Sequence, residues 1–210
     1  MFSILASIVT GYLLGSIPFG FLTARLRGID IREHGSRNIG ATNVWRVCGW
    51  KFGLPVFLLD ALKGAGAVWL GGWIAIRLGG DAAWASIGSA MACIVGHSFP
   101  VWLGFKGGKG VATSLGALLC MMPLATGVTF LVWILVFKIS RYVSLASIVA
   151  AVVLPAFAIA AQFTGRGRGW PFAGFATLAG LLVILRHRAN IQRLLAGTEN
   201  RFGKKKEAQA

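Results

Sequence analysis

The chain has 210 residues, of which 56% are hydrophobic and only 13% charged; ordinary soluble domains carry about 25% charged residues, so the composition argues against a water-soluble globule. The formal charge of +15, from 21 Lys and Arg against six acids, is compatible with nucleic acid, anionic lipid or an anionic substrate, and the apolar segments make nucleic acid the weakest of the three. One helical membrane domain over residues 1–203, followed by a basic tail at 204–210, is expected.

Residues 3–26 form the first apolar stretch. They lack the basic leading segment and the clean small-residue cleavage site of a signal sequence and are read as a span. Further spans are predicted at 52–76, 82–103, 144–163 and 170–185, each long enough for roughly 30 Å of hydrocarbon and bounded by Arg, Lys, Gly or Pro. The uncharged run 111–137 has 27 residues, which is long for one upright helix and short for two spans of about 17 residues each. Met121, Met122 and Pro123 stand at its midpoint as a turn signal, giving two short helices at 111–122 and 123–137, either of which is a full span or a re-entrant piece.

Charge asymmetry arbitrates between the two counts, because Lys and Arg concentrate on the cytoplasmic side. Seven crossings put Arg25, Arg27, Arg32, Arg37, Arg46, Lys51, Lys106, Lys109, Lys138, Arg141 and seven C-terminal bases on one side, and leave only Arg77, Arg166 and Arg168 opposite. Six crossings divide the same charges evenly. The expected fold is therefore all-α: a polytopic integral membrane protein of about seven transmembrane helices including two short ones, with its N-terminus outside and its C-terminus in the cytoplasm. The 29 glycines suit close helix packing. Cys48, Cys93 and Cys120 form neither a CxxC pair nor a zinc set and read as small core residues. Lys204, Lys205 and Lys206 read as a solvated or headgroup-binding end.

Four segments carry side chains suited to anion chemistry. The first, Gly35 to Arg46, includes Ser36, Arg37, Asn38, Thr42, Asn43 and Arg46. Hydroxyls, amides and guanidinium forks among glycines are what wrapping phosphate oxygens requires, although a helix N-cap run uses some of the same residues. The second, Gly96 to Thr113, joins a span to a turn holding Gly107, Gly108, Lys109 and Gly110. It lacks the P-loop pattern, but free backbone, a cation and the following helix start supply positive potential; a glycine-rich membrane turn is the alternative. Lys106 reads as a headgroup contact. The third, Ser140 to Ser147, offers Ser144 or Ser147 as helix caps. The fourth, Arg186 to Leu194, puts His187 and Asn190 at i, i+3 on one helical face. Asp60 and Lys63 share the same spacing inside a span, where ionisable groups are costly unless paired, and read as an internal ion pair. No ligand spacing for a metal is visible, and no cofactor is expected. An anion channel or transporter is the chief rival reading, since cationic loops and broken helices also build anion pathways; a scaffold for acidic partners is the third.

The runs GSRNIGATNV at 35–44, GHSFPVWLGFKGGKGVAT at 96–113, SLASI at 144–148 and HRANIQRLLAGTE at 187–199 together resemble the bacterial acyl-phosphate:glycerol-3-phosphate acyltransferases, the PlsY family, over nearly the whole chain. Leu103 and Gly104 depart from the pattern, where a longer or more basic side chain is expected, and the tail is unusually basic. The HxxxxD pair of other glycerolipid acyltransferases is missing, because neither His97 nor His187 has Asp five residues on. The resemblance implies acyl transfer from acyl phosphate to the 1-hydroxyl of glycerol 3-phosphate in phospholipid synthesis. It implies a multi-pass protein of the bacterial plasma (inner) membrane with its site facing the cytoplasm, in contact with membrane lipid, and a functional link to the enzyme that makes acyl phosphate. On that reading Ser36, Arg46 and Lys109 bind phosphate, with Asn38 and Thr42 as helpers and Arg37 and Asn43 in the same substrate-binding segment. Gly107, Gly108 and Gly110 are expected to offer backbone donors to acyl phosphate, while His187 and Asn190 orient the glycerol hydroxyls beside Lys109. The proton acceptor is either His187 or a substrate phosphate.

Overall fold

The computed structural model describes residues 1–203, so the tail at 204–210 lies outside the described residues, and over them the chain is built of α-helices with one 3-10 turn at Val101–Leu103. The first span is α1 (Phe2–Ser16) and α2 (Phe19–Arg25). It is broken where Ile17 turns extended before Pro18, as the pyrrolidine ring demands of the residue ahead of it. A short amphipathic helix, α3 (Ala41–Cys48), leads into α4 (Trp50–Arg77), which has 28 residues. Helix α5 (Ala82–Ser98) starts on an Asp81 carboxylate that accepts from the N–H groups of Ala83 and Trp84 at 2.8 and 3.1 Å, an N-cap that satisfies donors no helix start can satisfy internally.

The run at 111–137 divides at Met122 into α6 (Val111–Met121), 11 residues, and α7 (Pro123–Ser140), 18 residues. Pro123 occupies the first turn of α7, where its missing N–H costs nothing. The two helices are unequal: α7 is long enough to cross a membrane, whereas α6, at ~16 Å, reaches about half the hydrocarbon thickness. Helices α8 (Val143–Phe163), α9 (Trp170–Arg186) and α10 (Arg188–Leu195) follow, with a 57° bend between the last two. Phe2–Arg25, Trp50–Arg77, Ala82–Leu103, Pro123–Ser140 and Val143–Phe163 are each long and apolar enough to cross, and the α9–α10 pair qualifies as a sixth, bent span. The chain is a polytopic helical membrane protein.

Glycine sets the spacing of the central helices. A Cβ on Gly11 or Gly15 of α1 would strike Ser89 or Cys93 of α5, and one on Gly116 of α6 would strike the Ala61 carbonyl of α4, so small residues let these backbones touch in a medium that supplies no hydrophobic drive between helices. Ser3 stands against Gly80 at one end of the bundle. The other end gathers the loop at 104–110, the α7–α8 turn and the segment after α10: Arg186 bonds the Gly107 and Gly108 carbonyls, and the Phe202 N–H donates to the Arg141 carbonyl. Two sequence expectations are corrected here. Ser144 and Ser147 lie inside α8, whose N-cap is Tyr142, and of the three cysteines only Cys93 is buried, Cys120 being exposed.

Candidate active site

A cavity of about 470 Å³ opens at the end of the bundle where the loops gather. Its polar wall includes Ser36, Asn38, Thr42, Arg46, Lys109, His187, Asn190 and Glu199, and its apolar wall runs along Phe57, Leu115, Leu118, Phe130, Leu154 and Val183.

The segment from Gly35 to Arg46 is organised by Asn43. Its Oδ1 accepts from the Ser36 N–H at 2.8 Å and from Arg46 Nη1 at 3.3 Å, while its Nδ2 faces the carbonyls of Asn38, His34 and Ile31 at 2.9, 3.0 and 3.3 Å. Asn43 is 2% exposed and borders the cavity, with both of its polar atoms bonded within the segment, so it holds the segment's shape. Asn38 Oδ1 accepts from the Gly40 N–H at 2.9 Å, and its Nδ2 donates to the Gly107 carbonyl at 3.5 Å, which ties the first loop to the second. Arg37, expected in the same binding segment, sits at φ 58° with an exposed side chain that is not part of the cavity wall.

The glycine loop differs from expectation in a similar way. The Gly107 and Gly108 N–H groups donate to the Ser98 and His97 carbonyls at 3.2 and 3.0 Å, so neither amide is available as the expected donor to a phosphate. Their carbonyls accept from Arg186 Nη2 and Nε, both at 3.0 Å. Gly110 has φ 79° and is the N-cap of α6. The N–H groups of Val111, Ala112 and Thr113 follow it, and a helix start leaves these without an intrahelical acceptor. Val111 and Ala112 line the cavity beside Lys109; Lys106 is exposed and outside it.

Lys109 Nζ donates to Asn190 Oδ1 at 2.6 Å, and Asn190 Nδ2 donates to Glu199 Oε1 at 2.6 Å. Glu199 also accepts from Ser144 Oγ at 2.8 Å and from Arg193 Nε at 2.7 Å. Burial pulls the Lys109 ammonium down to about 8, with Arg193, Arg46 and Arg186 adding to the shift and Glu199 opposing it. Burial raises the Glu199 carboxyl, but the hydrogen bonds from Asn190, Ser144 and Arg193 outweigh that and hold it below its usual range. His187 stands at the bend between α9 and α10, buried, and its Nδ1 bonds the Val183 carbonyl at 2.8 Å. A carbonyl accepts only, so Nδ1 carries the proton and Nε2 keeps its lone pair.

Glu199, Arg186 and Arg193 were not assigned from sequence. All three lie within the fourth segment or the last motif run, and Glu199 is one of only six acids in a strongly basic chain; position was the signal they had, and their roles were not legible.

Fold and cavity together define a multi-pass membrane protein whose site joins a cationic, donor-rich wall to an apolar one, the shape that suits an amphipathic anion. The chain belongs to the glycerol-3-phosphate acyltransferase family, whose model matches residues 5–197, and it is therefore an acyltransferase of that class. It is 48% identical over 203 residues to the glycerol-3-phosphate acyltransferase of Thermosynechococcus vestitus, with 91% of this chain and 92% of that one covered. The Aquifex aeolicus enzyme is 45% identical over 197 residues, with 93% and 97% covered. In structure it is similar to PlsY, an integral membrane glycerol 3-phosphate acyltransferase solved in a glycerol 3-phosphate form (TM-score 0.84) and a lysophosphatidic acid form (TM-score 0.82), each at 44% identity with 96% of both chains covered.

Proposed function

We propose that the protein transfers a fatty acyl group from acyl phosphate to the 1-hydroxyl of glycerol 3-phosphate, giving 1-acyl-sn-glycerol 3-phosphate and inorganic phosphate for phospholipid synthesis. The observation that carries this reading is the two-sided cavity: Lys109, Arg46 and Ser36 on one wall suit phosphate oxygens, and the Leu118–Phe130–Leu154 wall suits an acyl chain. Relatives solved with glycerol 3-phosphate and with lysophosphatidic acid support the acceptor and the product. The excess of Lys and Arg around the site supports a cytoplasmic face of a bacterial inner membrane.

In the reaction the acceptor oxygen attacks the acyl carbon, the bond from that carbon to the phosphate oxygen breaks, and phosphate leaves. Acyl phosphate already has a good leaving group, so positioning and charge neutralisation provide most of the acceleration. Lys109, Arg46, Ser36 and the α6 N-terminus opened by Gly110 hold phosphate, with Asn38 and Thr42 helping. Asn190, fixed by Glu199, and His187 Nε2 orient the glycerol hydroxyls. The hydroxyl proton goes to a substrate phosphate oxygen, because protonating a buried His187 would add a like charge to a wall that already carries Lys109 and Arg46.

Purified protein with palmitoyl phosphate and labelled glycerol 3-phosphate, run beside palmitoyl-CoA, tests the donor. Labelled lysophosphatidate from the acyl phosphate alone, lost in Lys109→Ala, is the expected result; activity with palmitoyl-CoA alone overturns it.

A further inference from the structure

Asp60, Lys63 and His97 form an ionisable cluster inside the bundle that the reaction above does not use. Lys63 Nζ lies 2.8 Å from Asp60 Oδ1, and His97 Nδ1 lies 3.4 Å from the same oxygen, with side chains 1%, 3% and 6% exposed for Lys63, Asp60 and His97. Charges removed from water are costly, and an apolar set of similar volume packs as well or better, so the cluster calls for a role beyond holding helices together. Its outward contacts give one. Lys63 Nζ also donates to the Ile17 carbonyl at 2.9 Å, a group at the break before Pro18 that accepts from the Phe19 N–H as well. His97 reaches the glycine loop twice: its carbonyl accepts the Gly108 N–H at 3.0 Å, and its ring Nε2 stands where a Cβ on Gly108 would be. From the opposite side Arg186 holds the carbonyls of the same two glycines. The residue after Gly108 is Lys109, and both Asp60 and His97 line the cavity. At 3.4 Å the Asp60 carboxylate is a charge contact to Nδ1 and not a hydrogen bond; a carboxylate facing Nδ1 favours one orientation of the imidazole, and in that orientation the ring packs against Gly108.

We infer that Asp60, acting through the His97 imidazole, positions the glycine loop and with it the Lys109 ammonium. Asp60 and His97 are positioning residues, and Lys63 balances the carboxylate and anchors it to the broken first span. The inference rests on the reading of Lys109 as a phosphate ligand.

The test uses the full chain and three variants: the charge-neutral pair Asp60→Asn with Lys63→Met, which leaves no unpaired buried charge, His97→Ala, and all three changes together. Amide exchange in peptides covering 104–110 is expected to speed up by about tenfold in the pair and in His97→Ala, with peptides from the middle of α4 and α5 unchanged. Activity (kcat/KM) with palmitoyl phosphate is expected to fall by about tenfold or more in each, with no further loss when the changes are combined, since coupled residues do not add. Unchanged loop exchange, or losses that multiply in the combined variant, would overturn the inference. Loop exchange that responds as expected in a protein whose unsubstituted form ignores palmitoyl phosphate sinks the donor assignment and leaves the positioning role standing.

Discussion

The two loops that frame the cavity were assembled from different materials and use them in opposite ways. Between Gly35 and Arg46 the donors are side chains, and one of them, Asn43, is consumed in folding the loop so that Ser36, Asn38, Thr42 and Arg46 face the cavity. Between Gly104 and Gly110 the expected donors are backbone amides, yet those of Gly107 and Gly108 face inward, and Lys109, Gly110 and the start of α6 border the cavity. A donor-rich composition therefore does not tell which donors are left for a ligand. Each loop needs a share of its polar groups to hold the rest in place.

The largest effect that sharpens this contrast is steric. A Cβ on Gly107 would strike the His97 carbonyl and the Pro100 ring, and shifting the loop by an ångström costs activity on the order of 100-fold; Gly107→Ala should lose that much in kcat/KM while Gly174→Ala, where a Cβ meets nothing, changes nothing. Lys109→Ala removes a cation aimed at developing charge and should cost about 100-fold in kcat, so full turnover in that variant would break the assignment of this loop to phosphate. Asn43→Ala leaves the Ser36 amide and three carbonyls without their partner, a loss of about 1–3 kcal/mol. It should show as a lowered Tm with a raised KM, and a KM effect at unchanged Tm would restore Asn43 as a direct ligand.

A pH profile gives a smaller, reversible version of the Lys109 test. The cationic form binds anions, and with Lys109 drawn down to about 8 an unliganded site loses its charge as pH rises through that value. Hence kcat/KM should decline above about pH 8, and Lys109→Arg should abolish that limb because guanidinium stays charged. His187→Gln should have the mildest effect: turnover persists with a raised requirement for glycerol 3-phosphate, and loss of the chemical step at unchanged binding would make His187 the base.

Much of the architecture was legible in residue order. Hydropathy marked the spans, and Met122–Pro123 marked the break within the long apolar run, because a proline starts a helix more readily than it continues one. The extent of α6 and α7 on either side was not legible, since nothing in an uncharged run says how far a helix winds before neighbours stop it; α7 runs on through Lys138 to Ser140. In the site, Lys109 and Arg46 stand out in sequence as cations in or beside glycine-bearing segments and Asn190 as an amide at i+3 from His187, and all of them line the cavity. The role of Glu199 was not legible, because a carboxylate facing anions looks unfavourable until Asn190, Ser144 and Arg193 are seen bonded to it. The internal roles of Asn43 and Gly108 depend on carbonyls brought from other elements, which spacing along the chain cannot reveal.

The apolar wall of the cavity includes Leu54 and Phe130, each of them 40% exposed. On the proposed reading the acyl chain of the donor lies along this wall and reaches it from the bilayer, so the quantity that governs its supply is mole fraction within the lipid, not molarity in the buffer. Diluting the donor with inert lipid or detergent at fixed bulk concentration should then slow the reaction, the behaviour of surface-dilution kinetics, while glycerol 3-phosphate continues to saturate as an ordinary solute.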